Sequence, residues 1–71
     1  MGHRFTTPLF VIESVDTLVD RRCEKGLSRL DIAEKTGVRY EYITHYEQGY
    51  SYPSRDNYNK LAKYFNWEEW K

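Results

Sequence analysis

A single cysteine, the absence of any long apolar run and a charge balance with no surplus of either sign set the first limits on this chain. Cys23 alone cannot close an internal disulfide, and with His3 and His45 it offers no recognisable metal-ligand spacing, so neither a disulfide scaffold nor a metal site is expected. No apolar stretch approaches the roughly 20 residues of a membrane-spanning helix, and Pro8 stands at the start of the only candidate, Leu9 to Ile12. The N-terminus has no long apolar region followed by small residues, so no secretory signal is read and a soluble, cytoplasmic protein without a membrane partner is expected. Lysine plus arginine and aspartate plus glutamate number 11 each, which removes the direct argument for nucleic acid that a basic domain would give. Nucleophile–base pairs and phosphate loops are also missing, so an enzyme is not expected and no cofactor is implied.

What is present is 71 residues with 39% apolar content, enough for one small domain of a size that oligomerisation often stabilises. Residues 1–12 contain Thr-Thr-Pro and then four consecutive apolar residues, a pattern that predicts an extended arm or short strand ahead of a domain spanning 13–71. That arm could pair protomers or pack back across the domain. From Glu13 the pattern is helical, with Val15, Leu18, Val19 and Arg22 on one stripe and Gly26 as the stop. Ser28 and Asp31 form an N-cap pattern for a second helix over about 29–36, which carries Ile32 and Ala33 inward and ends at Thr36-Gly37. A third helix is predicted over about 39–48, with Val38, Ile43 and Tyr46 inward and Gly49 as its terminator. After the loop Tyr50-Ser51-Tyr52-Pro53, Ser54 caps a helix whose stripe is Tyr58, Leu61, Ala62 and Phe65, with Asn66 ending it. Trp67 and Trp70 would close the core or remain for a partner. The fold class is all-α.

Two helices separated by a tight turn at Gly37 are how a small protein places one helix in the DNA major groove. On the third helix, Glu41, Thr44, His45 and Gln48 lie opposite Ile43 and Tyr46, with Arg39 and Tyr40 at its start. Each has chemistry for a base edge or a phosphate: glutamine for adenine, histidine and threonine for several edges, glutamate for cytosine N4, arginine for guanine. Any surface helix also shows a polar outer face, so the turn and the preceding helix carry much of this reading.

Arg22 on an apolar stripe requires a partner or an escape to solvent. Glu47, on the inward side of the third helix, would supply a buried ion pair between helices one and three; snorkelling of the Arg22 stem is the alternative.

Lys25-Gly26-Leu27-Ser28, Ile32-Ala33-Glu34-Lys35, Gly37-Val38, Ile43, Glu47, Gly49, Pro53-Ser54 and Leu61-Ala62-Lys63 stand in the order of a known signature. Over Leu18 to Trp67 the chain resembles the Xre and phage Cro/repressor helix-turn-helix family. The resemblance implies a compact, lambda-repressor-like five-helix domain that binds operator DNA as a homodimer and regulates transcription, commonly as a repressor from a phage, plasmid or mobile element. Carried over by position, it implies base reading by Arg39, Tyr40, Glu41, Thr44 and His45. It implies phosphate contacts from Ser28, Arg29, Gln48, Tyr50, Tyr52 and Arg55, and an Arg22–Glu47 bridge. Three positions depart from the pattern: Arg39 cannot cap the third helix, Leu30 replaces a polar residue, and the loop after Gly49 has tyrosines in place of cations.

Tyr40, Tyr42, Tyr50 and Tyr52 cluster at the third helix and its loop. A flat ring with a hydroxyl serves phosphate contact, a protein interface or packing. Two functions therefore stay open: a sequence-specific DNA-binding regulator, and a protein-interaction module on the same scaffold that binds a toxin, a polymerase subunit or another regulator through the Tyr-rich face.

Overall fold

In the computed structural model, which describes residues 7–71, the chain forms α1 (Leu9–Asp16), α2 (Leu18–Glu24), α3 (Arg29–Thr36), α4 (Tyr40–Gln48) and α5 (Arg55–Phe65). There is no strand among the described residues, as the all-α pattern requires.

The arm is corrected where it can be compared. Residues 9–12 are helical, and residues 1–6 of the expected arm lie outside the described residues. Pro8 is the N-cap: its carbonyl accepts from Val11 N at 3.0 Å and Ile12 N at 3.2 Å, and its missing N–H costs nothing at a helix start. The four apolar residues that suggested extension are the first turn of α1, and Val11 is fully buried. Burial of one such side chain contributes roughly 1.5–3 kcal/mol, enough to override a weak local preference. Phe10 adds an edge-to-face contact with Tyr58 at 6.1 Å, so this segment packs across the bundle.

A second correction concerns the single helix expected from Glu13 to Gly26. It breaks at Thr17, whose hydroxyl donates to the Ser14 carbonyl at 2.7 Å while its backbone N–H donates to the same oxygen at 3.0 Å. This side-chain bond competes with the regular ladder and tightens the turn. Val15 and Leu18 remain buried on either side of the break, whereas Val19 turns out to solvent.

The remaining boundaries follow from caps. Ser28 Oγ accepts from Asp31 N at 3.0 Å and Ser28 N donates to Asp31 Oδ2 at 2.9 Å, closing a capping box on α3. Gly37, at φ +83°, makes the left-handed turn between α3 and α4 that a side chain would strain. Thr36 Oγ1 steadies that turn by donating to Ile32 O at 2.7 Å and accepting from Val38 N at 3.2 Å. Gly49 closes α4 in the same conformation at φ +81°, and Tyr50 N then bonds the His45 carbonyl at 3.0 Å. Ser54 caps α5, and Asn66 ends it in the left-handed region at φ 63°.

The core is Val11, Val15, Leu18, Ile32, Val38, Ile43, Tyr46, Tyr58, Leu61 and Ala62. Its C-terminal lid is aromatic: Trp67 stacks on both Tyr58 and Phe65, with ring centroids 5.8 and 5.0 Å apart, and Trp70 meets Tyr58 edge-on. The backbone of this segment is fixed by Tyr58 Oη donating to Glu68 O at 2.6 Å and by the Asn59 amide. That amide donates to Trp70 O and accepts from Trp70 N, both at 2.8 Å. The two tryptophans therefore close the core.

Candidate nucleic-acid interface

The site rests on α4, one side of which belongs to the core. Ile43 and Tyr46 point inward, Asn57 Nδ2 donates to Tyr46 Oη at 3.2 Å, and α3 crosses α4 through the Gly37 turn. Glu47 shares this inward side, and none of its side-chain surface is exposed.

Burial would raise the pKa of Glu47, but hydrogen bonds from Arg22 and Arg29 outweigh it and hold the carboxyl below its ordinary value. Arg22 Nε donates to Glu47 Oε2 at 2.7 Å and Arg22 Nη2 to Oε1 at 2.9 Å, a bidentate fork between α2 and α4. Arg22 Nη1 also donates to the Leu27 carbonyl at 3.0 Å, so the guanidinium ties α2, the α2–α3 connection and α4 together. Its side chain is 15% exposed, which sets aside the snorkelling alternative. The sequence reading missed the third member: Arg29 Nε donates to Glu47 Oε1 at 2.8 Å. A second arginine on the α3 face toward α4 was the available signal.

The five residues expected to read bases fall into two groups. Arg39, Tyr40, Glu41 and His45 are exposed on the outer side of α4 or at its start. Arg39 is the N-cap and makes no side-chain capping bond, as its chemistry dictates. Thr44 is half-buried, and its hydroxyl oxygen is enclosed without a hydrogen-bond partner among the described residues. A bond from this hydroxyl to a base edge therefore requires a χ1 rotation, so Thr44 is not an open reader as it stands.

The residues expected to touch phosphate are more dispersed. Gln48 and Arg55 are exposed, at the end of α4 and the start of α5. Ser28 and Arg29 line an open depression with Arg22, Leu30 and Tyr40, which brings the α3 start beside the α4 start. The Ser28 oxygen serves the capping box, and Arg29 gives its Nε to Glu47 while its Nη groups donate to no described residue. Tyr50 is 74% exposed, and its ring meets the His45 imidazole edge-on at 5.9 Å. The Tyr52 hydroxyl already has a partner, donating to Asp16 Oδ1 at 3.0 Å. An ionised carboxylate is a strong acceptor for a phenol, and this bond raises the Tyr52 pKa above its ordinary value. A phosphate contact from the Tyr52 proton must displace Asp16 and place two anions side by side.

Among the described residues, no helix is long and apolar enough to cross a membrane, and no group of three His, Cys, Asp or Glu side chains is placed to hold a metal ion.

A capped helix, a glycine turn and a second helix with its outer side open define a helix-turn-helix protein. A family model described as helix-turn-helix matches residues 18–69, and the chain belongs to that family, of the Xre and Cro/repressor type, a family of DNA-binding regulators. Comparison with curated proteins and with solved structures found no match.

Proposed function

We propose that this protein is a sequence-specific transcriptional regulator that acts as a small homodimeric repressor in the cytoplasm and reads the DNA major groove with α4. The observation that carries this reading is the division of α4: Ile43, Tyr46 and Glu47 anchor one side, while Tyr40, Glu41 and His45 stand exposed on the other. A helix so anchored can enter the groove without reorganising, with Arg39 at its leading end. Arg39, Tyr40, Glu41 and His45 are assigned to base edges, and Thr44 joins them after rotation. Ser28, Arg29, Gln48, Tyr50 and Arg55 are assigned to the backbone on either side, Tyr52 only after it leaves Asp16. With so few free cations on this side, a protomer neutralising about three phosphates gives a log–log salt slope of about −3.

The exposure of Tyr40, Tyr42 and Tyr50, with Leu30 at the start of α3, favours a second reading in which the Tyr-rich face binds a protein. A binding assay against DNA from upstream of the protein's own gene and against random duplex, repeated across salt concentrations, separates the two. The regulator requires a preference of about 10³ or more for one site. Equal, weak binding to both duplexes removes it and leaves the protein-interaction module.

A further inference from the structure

The cluster at Glu47 carries two guanidinium groups for one carboxylate, so it holds one uncompensated positive charge. Arg22 has little left to offer: its Nε, Nη1 and Nη2 all donate inside the protein. Arg29 differs. It uses Nε alone, is 34% exposed, and its two terminal Nη groups donate to no described residue. The surplus charge therefore reaches solvent through one edge of Arg29, in the depression it shares with Ser28, Leu30 and Tyr40.

We propose that Glu47 is a positioning residue for DNA, holding the Arg29 guanidinium by Nε so that its Nη edge makes a bidentate contact with one backbone phosphate. The inference rests on the DNA-binding reading above, but it needs no sequence preference, because a phosphate contact is common to all duplexes. A guanidinium is a rigid plane, so fixing Nε fixes the direction of both Nη groups, and a matched pair of phosphate oxygens takes both. Arg22 offsets the negative charge of Glu47, and Arg29 keeps its own charge for the ligand. Asp31, the nearby acid of the capping box, already accepts from Ser28 N, and its charge favours a ligand seated on the Nη edge over one seated on the α3 amides. Tyr40 flanks the same depression, so the Arg29 contact sets the register of the α4 start on the duplex.

A double-mutant cycle on a short random-sequence duplex tests this, with folding of each variant checked by circular dichroism. Arg29→Ala is expected to weaken binding about tenfold or more. Glu47→Gln, which keeps the shape of the side chain, should weaken it about fivefold in the native chain and less than about twofold once Arg29 is alanine. Additive losses would mean that Glu47 acts on the fold alone, and would overturn the proposal. Arg29→Lys gives a second arm that leaves Glu47 and Arg22 in place. One ammonium cannot supply both the Nε bond and the fork, so binding should fall to near the alanine level; native affinity in the lysine variant would equally overturn the proposal. Non-additivity on random duplex without preference for any site would sink the regulator and keep this contact, whereas site-preferring binding whose affinity is unchanged by Arg29→Ala would do the reverse. No duplex binding at all overturns both.

Discussion

Tyr52 donates its hydroxyl hydrogen bond to the Asp16 carboxylate across 3.0 Å, joining the loop after α4 to the end of α1. The bond keeps an acid beside a loop that the DNA-binding reading places near the phosphate backbone. Asp16→Asn removes that charge and loosens the tyrosine. Duplex affinity should rise severalfold at low salt, with the gain shrinking as salt is added, because an exposed charge is screened. Fluorescence anisotropy at two ionic strengths checks this, and an unchanged affinity at low salt would place the loop away from DNA.

Glu47→Ala leaves Arg22 and Arg29 facing a buried gap. Removing one member of a buried ion pair costs about 3–5 kcal/mol, comparable with the whole stability of a small domain. Thermal or urea unfolding should show a large loss, and a melting temperature equal to that of the native chain would remove the bridge as a source of stability.

The same carboxylate governs acid sensitivity. Its native pKa lies below the ordinary glutamate value, so its contribution is fully present above that ordinary value. It fades as pH falls through the lower native pKa, since the unfolded chain takes up the proton first. Asp31, held low by the Ser28 backbone hydrogen bond, acts in the same direction. Stability measured by urea unfolding should fall as pH drops from the ordinary carboxylate values through the lower native ones, and Glu47→Gln should flatten that limb. An equally steep limb in the variant would assign the acid sensitivity to other carboxylates.

Base reading and phosphate contact should separate by mutation. His45→Ala or Glu41→Ala is expected to change which site is preferred, and Arg29→Ala to weaken all sites alike. Selection from a randomised duplex pool reads the first effect and direct titration the second. Altered preference in the Arg29 variant, with none in the His45 variant, would reverse the docking.

Asn59→Ala removes both hydrogen bonds to the Trp70 backbone. A loss of about 1–3 kcal/mol is expected, with red-shifted tryptophan emission as the aromatic lid loosens. Unshifted emission would mean that ring stacking and the Tyr58–Glu68 hydrogen bond hold residues 67–71 without Asn59.

Much of this fold could be read from spacing because its boundaries are local chemistry. The Ser28–Asp31 pair, Gly37, Gly49, Ser54 and Asn66 each mark a helix end through a cap or a left-handed turn, and such signals need no knowledge of the rest of the chain. The start of α1 was hidden for the opposite reason. Leu9 to Ile12 carry no helical period of their own, and only the packing of Phe10 and Val11 against the bundle selects the helix. The break at Thr17 turned on one hydroxyl choosing a nearby carbonyl. At the candidate site, a charge on the apolar stripe signalled that Arg22 needs a partner. Arg29 on the side of α3 toward α4 was the one signal for its bond to Glu47, and nothing in the spacing revealed that Asp16 holds Tyr52 or that the Thr44 hydroxyl is enclosed, since each depends on how separate helices or side chains meet.

The division of α4 has a consequence for how such a protein can change. Residues that keep the helix in place and residues that face outward alternate along nine positions, with Glu47 shared between stability and the Arg29 edge. Tyr40, Glu41 and His45 are exposed, so substitutions there cost little in folding, and under the DNA-binding reading new specificities would be reachable by single steps. Under the same reading a change at Glu47 would move folding and contact geometry together, so that position could not vary independently of either.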